Sequence, residues 1–331
     1  MTDAIDEATE SVVDSPVDSD VVDSLEEQAA AAEVKELGEY RSLRQDVWRQ
    51  FRRHKGAMAA LFILTVITIG AVLGPEIYPY DPFELDIENA NQTPSWSNPF
   101  GTDNLGRDVL ARALIGGRIS LAVGFAAMAF SLVLGVGVGI LAGFFRRLDG
   151  LLMRFTDLVI SLPQLPLLLL VIVLFREPLK DTFGPSLGIF LLVVAIIGAT
   201  SWMQTARIVR GHVLALKEEE FVLAARSVGT KDRRILSRHI LANVLSPVTV
   251  SASLGIATAI ITESALSFLG LGFPADFPTW GRLLFDAKDY MRINLWRVLL
   301  PGFLISTTVI AVNFIGDGLR DALDPRLRSK S

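Results

Sequence analysis

The chain has 331 residues, 51% of them hydrophobic, with a mean hydropathy of +0.44 and a net charge of −5. That is too apolar for an ordinary soluble surface and implies several bilayer crossings of roughly 17–25 residues each. The absence of cysteine excludes disulfides, thiolate metal sites and cysteine nucleophiles. The charge is uneven: residues 1–40 carry thirteen acids and one base, Lys35, so the remainder is net positive. An acidic tail is thus attached to a membrane body.

Residues 1–24 alternate Asp, Ser and Val without helical period and read as a disordered acidic tail. No cleavable signal is expected, because the first apolar run lies beyond residue 50 and the N-terminus is acidic. Residues 25–56 read as a cytoplasmic amphipathic helix. Leu43, Val47 and Phe51 recur every four residues beside Arg44, Arg49, Arg52 and Arg53, and Trp48 suits a headgroup boundary. Residues 57–118 hold a first span ended by Gly74-Pro75, then an external segment rich in Pro and Asn that is expected to be irregular. There Asp103 or Asn104 is placed to cap the following helix.

Residues 119–316 form a core of five further spans, near 119–143, 151–174, 187–206, 247–271 and 298–316; the first span lies near 57–74. The fold class is therefore all-α, a polytopic membrane protein with six transmembrane helices. Gly135, Gly139 and Gly143 make a smooth ridge fit for helix packing, unless they reflect only the frequency of glycine in membrane helices. Arg154 and Asp157 form an i, i+3 pair able to neutralise each other inside the third span. Pro163 and Pro166 are expected to kink that span or break its first half. Glu263 is a costly carboxylate at depth, which implies either a buried hydrogen-bonded role or a pore-facing one. Residues 317–331 form a cytoplasmic C-terminal tail whose helix ends at Asp324-Pro325.

With the N-terminus inside, the inside segments carry 21 Lys/Arg and the outside ones 9, which favours both termini in the cytoplasm. The loop at 207–246 is then cytoplasmic. Within it Phe221, Ala224, Ala225 and Val228 fall on one helical face, Glu218–Glu220 precede them, and Gly229 stands where a helix ends. Such a helix suits a groove on a partner protein or serves as an interfacial connector. The chain has no phosphate-binding G-x-x-x-x-G-K-[ST] loop, no HExxH and no assembled hydrolytic site, so it is not an enzyme in its own right. No nucleic-acid partner is implied.

The segment EFVLAARSVGTKDRRILSRHILANVLSP resembles the "EAA" loop of ABC importer permeases, through Ala224–Gly229, Ile235 and Arg238–Leu241. Two positions depart from that pattern: Leu223 stands in place of a Glu, and Ala242 in place of a Pro before Asn243. FGTDNLGRDVLARALIGGRISL, DLVISLPQLPLLLL, TESALSFLGLG with PTWG, and IGDGLRDALDPRLR resemble the second, C-type permease of dipeptide, oligopeptide and nickel ABC importers. The likeness covers residues 41–328. It implies a type I ABC importer permease fold in a prokaryotic cell membrane. It also implies ATPase coupling through Glu220, Phe221, Ala224, Ala225, Arg226, Val228 and Gly229. The implied partners are a second homologous permease, two ABC ATPases, an extracytoplasmic binding protein and membrane lipid, with ATP and Mg held by the ATPases and no cofactor on this chain. Dipeptide or oligopeptide import is the first expectation. Nickel or oligosaccharide import, and a secondary transporter driven by an ion gradient, are the alternatives.

Overall fold

A computed structural model describes residues 43–323. The acidic tail, the first part (25–42) of the helix expected over 25–56, and Asp324-Pro325 lie outside the described residues. Contacts divide the chain into Met1–Arg49 and Gln50–Ser331. The described part of the first unit is the beginning of α1 (Leu43–Arg53), with Asp46 in its first turn and Trp48 half exposed. The regular structure of the second unit is helical, and its described residues contain no strand.

The basic end of α1 stops at His54, whose Nδ1 accepts the Ala57 amide at 2.9 Å and caps α2 (Lys55–Ile77). Pro75 does not stop α2 at once. A proline in the last turn forfeits one backbone bond while keeping helical φ, and the Tyr78 amide closes onto Gly74 O at 2.8 Å. The external segment is irregular apart from a 3₁₀ turn at Ile87–Asn89 and a lone bridge between Thr102 and Asp108.

The next helix, α3 (Val109–Phe144), begins ten residues before the expected start of the second span and is capped by Asp108, whose carboxylate accepts the Ala111 amide at 2.7 Å. Asp103 is not the cap. One of its oxygens accepts the Leu105 and Arg107 amides, at 2.8 and 3.0 Å, and the other accepts Arg107 Nε and Arg112 Nη1, both at 2.7 Å. Asn104 is not the cap either; its side-chain oxygen accepts from Arg297 at 3.3 Å.

The third span is not one helix. It divides into α4 (Arg146–Ser161) and α5 (Gln164–Phe183), bent by 88° at Leu162-Pro163. Pro163 forces Leu162 into extended backbone (φ −75°, ψ 138°), and Pro166 then sits in the first turn of α5, where no helical N–H is lost. Among the described residues five helices are thus long and apolar enough to cross a membrane, or six if the bent pair is one span. Gly184, with φ +80°, turns the chain directly into α6 (Pro185–Leu216). After α7 (Glu220–Ser227), α8 (Asp232–Phe268) contains a π-helical turn at Ile235–Ile240. A short α9 (Trp280–Ala287) precedes α10 (Trp296–Leu323).

The core is the pair α3 and α6, which run parallel. Added Cβ atoms at Gly135, Gly139 and Gly143 would come within 2.6–2.7 Å of Thr205, Val209 and Val213. Every fourth residue of α3 therefore meets every fourth residue of α6 at backbone distance. The C-terminal ends of α3 and α6 and the start of α8 share one end of the bundle, as do the start of α2 and the end of α10, where His54 Nε2 lies 3.7 Å from Asp321. At the other end Tyr78 reaches Asp108, and Arg297 reaches Asn91 and Asn104.

Candidate functional site

Two features stand out at the end of the bundle that carries α7. The first is α7 itself. Its N-cap Glu219 offers its carbonyl to the Val222 and Leu223 amides, at 3.0 and 3.1 Å, and Glu220 occupies the first turn, favourable to the helix dipole. At its C-terminus the Gly229 amide meets Arg226 O at 2.9 Å and the Thr230 amide meets Ala225 O at 3.0 Å. These two bonds form a Schellman motif, and it requires the left-handed φ of +77° that Gly229 adopts.

The two sides of α7 differ. Val222 is fully buried with Val209 and Val213 of α6 and Ile235, Ile240 and Val244 of α8, and Ala225 packs at the edge of that cluster. The face expected from the sequence, Phe221, Ala224, Ala225 and Val228, is therefore split: Ala225 turns partly inward, while Phe221 (42% exposed), Ala224 and Val228 (82%) point out, beside an exposed Leu223. Val222 is the anchor that the i, i+3, i+4, i+7 count passed over; the pair Val222 and Ala225, one turn apart, is the signal for it. The Arg226 guanidinium lies 5.5 Å from the Phe144 ring centroid, and Phe221 lies 6.1 Å from the ring of His239 in the π-helical turn. A short helix is thereby fixed to the ends of three core helices with an apolar row left outside.

The second feature is a cleft of about 450 Å³ beside the glycine ridge. On α6 it is lined by Thr200, Ser201, Gln204, Thr205 and His212; on α8 by Ser251, Leu254 and Thr258; Gln164 begins α5 and Arg320 lies near the end of α10. Thr205 and Ser251 hydroxyls meet across it at 3.2 Å. None of these residues was singled out from the sequence. The signal is a run of polar residues at 200, 201, 204, 205 and 212, one face of an otherwise apolar helix.

The remaining residues predicted as buried polar groups separate. Glu263 is fully buried and accepts hydroxyls from Ser267 at 2.7 Å and Ser120 at 3.2 Å; Ser120 in turn accepts the Trp280 amide at 3.1 Å. It ties α3, α8 and α9 together and does not face the cleft. Arg154 and Asp157 are exposed, contrary to expectation. Asp157 bonds Arg207 of α6 at 2.5 Å rather than Arg154, because the break at Pro163 lays α4 across α6, and Asp149 takes Arg210 through both its oxygens in the same way.

At the far end Asp103, Arg107, Arg112 and Arg297 are buried together. Burial works against the charged form of Asp103, but Arg112, Arg107 and the Leu105 amide outweigh it and hold the carboxyl below its usual range. With Arg112 also donating to Ala275 O at 3.1 Å and Asn294 to Gln92 O and Phe100 O at 3.2 Å, this network pins the external segment to α3, α9 and α10. No group of three or more His, Cys, Asp or Glu among the described residues is arranged to hold a metal.

Comparison with known proteins gives concordant matches. Residues 135–329 match the family described as binding-protein-dependent transport system inner membrane component, and residues 42–94 match the N-terminal TM domain of oligopeptide transport permease C. The oligopeptide transport system permease protein OppC of Haemophilus influenzae is 41% identical over 316 residues, covering 95% of this chain and 98% of that protein. OppC of Bacillus subtilis is 39% identical over 288 residues (87% and 91%). The dipeptide transport system permease protein DppC of Alkalihalophilus pseudofirmus is 38% identical over 286 residues (86% and 90%).

Proposed function

The chain belongs to the family of inner-membrane components of binding-protein-dependent transport systems, and from that premise we propose that it couples ATP hydrolysis by partner ATPases to dipeptide or oligopeptide import. The observation that carries the coupling is α7. Val222 clamps it to the core while Phe221, Leu223, Ala224 and Val228 present an unpaired apolar surface at the tip of the bundle. That division suits a helix held from one side and received by a groove on the other.

In this reading the end carrying α7, the start of α2 and the end of α10 faces the cytoplasm, in keeping with the excess of Lys and Arg in the segments placed there. Two ATPases supply ATP and Mg, a second permease completes the translocation path, and an extracytoplasmic binding protein delivers the peptide. Movement of α7 is passed to α6 and α8 through Val222. The π-helical turn at Ile235–Ile240 supplies a joint between α7 and the span, since a π turn carries one residue more than the helix around it. The polar cleft is this chain's contribution to the path.

The test is site-specific crosslinking from Val228 and Ala224 in the assembled transporter. Capture of the ATPase from these positions, and not from Val222, is expected. Capture of lipid alone from all three overturns the coupling assignment.

A further inference from the structure

The cleft carries an inference that rests on the peptide-import reading and deepens it. Its volume of about 450 Å³ lies within the range of small-ligand pockets. Its fixed charge is one-sided: Arg320 lines it beside His212, and among the described residues no carboxylate does. Among the described residues neither Arg320 nor His212 is engaged in an ion pair. The neutral groups are one-sided as well. The Thr200, Ser201 and Thr258 hydroxyls donate to helix carbonyls at 2.9, 2.7 and 3.1 Å, which leaves their lone pairs as acceptors. Gln204 adds both donor and acceptor.

A free peptide has backbone N–H groups for such acceptors, an ammonium at one end and a carboxylate at the other. This wall offers a cation for the carboxylate and, among the described residues, no opposite charge for the ammonium. We propose that the cleft is a peptide subsite in which Arg320 takes the substrate's C-terminal carboxylate, while the hydroxyl row on α6 and α8 accepts from the peptide backbone. The planar guanidinium fork matches a carboxylate through two parallel bonds. A metal cation finds no carboxylate ligand here among the described residues.

The experiment uses the complete transporter in proteoliposomes, with trialanine and its C-terminal amide as competing substrates. The ratio of their kcat/KM values is compared between variants, so the preference of the shared binding protein cancels. Arg320→Gln is expected to lower the acid-to-amide ratio about tenfold, the discrimination of one charge-assisted pair, and Arg320→Lys to keep most of it. Because the chain has no cysteine, Ser201→Cys in an otherwise cysteine-free complex allows the cleft's charge to be set after assembly. A cationic methanethiosulfonate is expected to raise the ratio and an anionic one to lower it, whatever the fate of the Arg320 variants. A ratio unmoved by charge, or acid and amide falling together in Arg320→Gln, overturns the subsite. Loss of ATP-dependent uptake of both peptides by the unmodified transporter sinks the peptide-import reading itself.

Discussion

Removing two carbons from Val222 tests whether α7 is held to the core as described. Val222 is fully buried among Val209, Val213, Ile235, Ile240 and Val244. Val222→Ala forfeits about 1.6 kcal/mol of transfer free energy at roughly 0.8 per methylene, and a small cavity term brings the cost to about 2 kcal/mol. If that cost falls on the local docking of α7, its opening becomes roughly 30-fold more frequent. Hydrogen exchange in the purified transporter reads this directly: the amides of Ala224 to Val228 are expected to lose protection by that factor, while those of α3 keep theirs. Val228→Asp is the control on the opposite face. At 82% exposure it buries nothing in this chain, so exchange stays unchanged while ATP-dependent uptake is lost. Unaltered exchange in Val222→Ala refutes the anchoring argument, and full uptake in Val228→Asp refutes the docking one.

Gly139→Ala puts a methyl 2.6 Å from Val209 Cβ and 2.7 Å from Ala206 O, so α3 and α6 must part; a loss of about 1–3 kcal/mol is expected, seen as a lower Tm in detergent, whereas Gly137→Ala, with open space around it, has no such effect. Asp103→Asn leaves buried Arg107 and Arg112 short of their shared anion and is expected to cost about 3–5 kcal/mol, measured as loss of folded protein on mild heating. Since the folded state holds the Asp103 carboxyl below its ordinary value of 3.8, its stabilisation is complete above that pH and disappears only as the pH falls through the lower folded value. The gap between wild type and Asp103→Asn is therefore expected to be constant from pH 7 to pH 5 and to close only under stronger acid; a gap that closes near neutrality excludes the network as its source. Glu263→Ala strands the Ser120 and Ser267 hydroxyls and is expected to destabilise by about 1–3 kcal/mol, with Glu263→Gln milder, both scored by Tm at unchanged peptide preference.

The sequence was most legible where one physical rule acts alone. Apolar length located the spans, and the glycine spacing marked a close approach whose partner, α6, only the fold supplies. It was less legible where two rules compete. At Pro163 the hydropathy of residues 151–174 argues for one crossing, but the missing N–H and the extended Leu162 divide it, and the division redirects Asp157 from Arg154 to Arg207. Similarly, any acid before α3 is a candidate cap until it is known where the arginines lie. Asp103 is drawn into an ion network by Arg107 and Arg112, and Asp108 takes the helix end.

The two parts of the candidate site differ in legibility for the same reason. The rule for α7 is local: eight residues, a glycine and a run of acids are enough to define the helix, and only the split between Val222 and Val228 needs its neighbours. The cleft is assembled from five helices. Its polar residues are thinly spread through stretches whose dominant signal is apolar, so Thr200, Ser201 and Gln204 read as tolerated polar residues until α8 brings Ser251 and Thr258 opposite them. Arg320 belongs, by sequence, to a charged helix exit that serves topology. Its place on the cleft wall follows only from the packing of α10 beside α8, where Gly316 lets the Ser253 side chain lie against its backbone. A charge that sets topology can thus also supply the one strong determinant for a carboxylate, because the end of a span is where a cation is cheapest to keep.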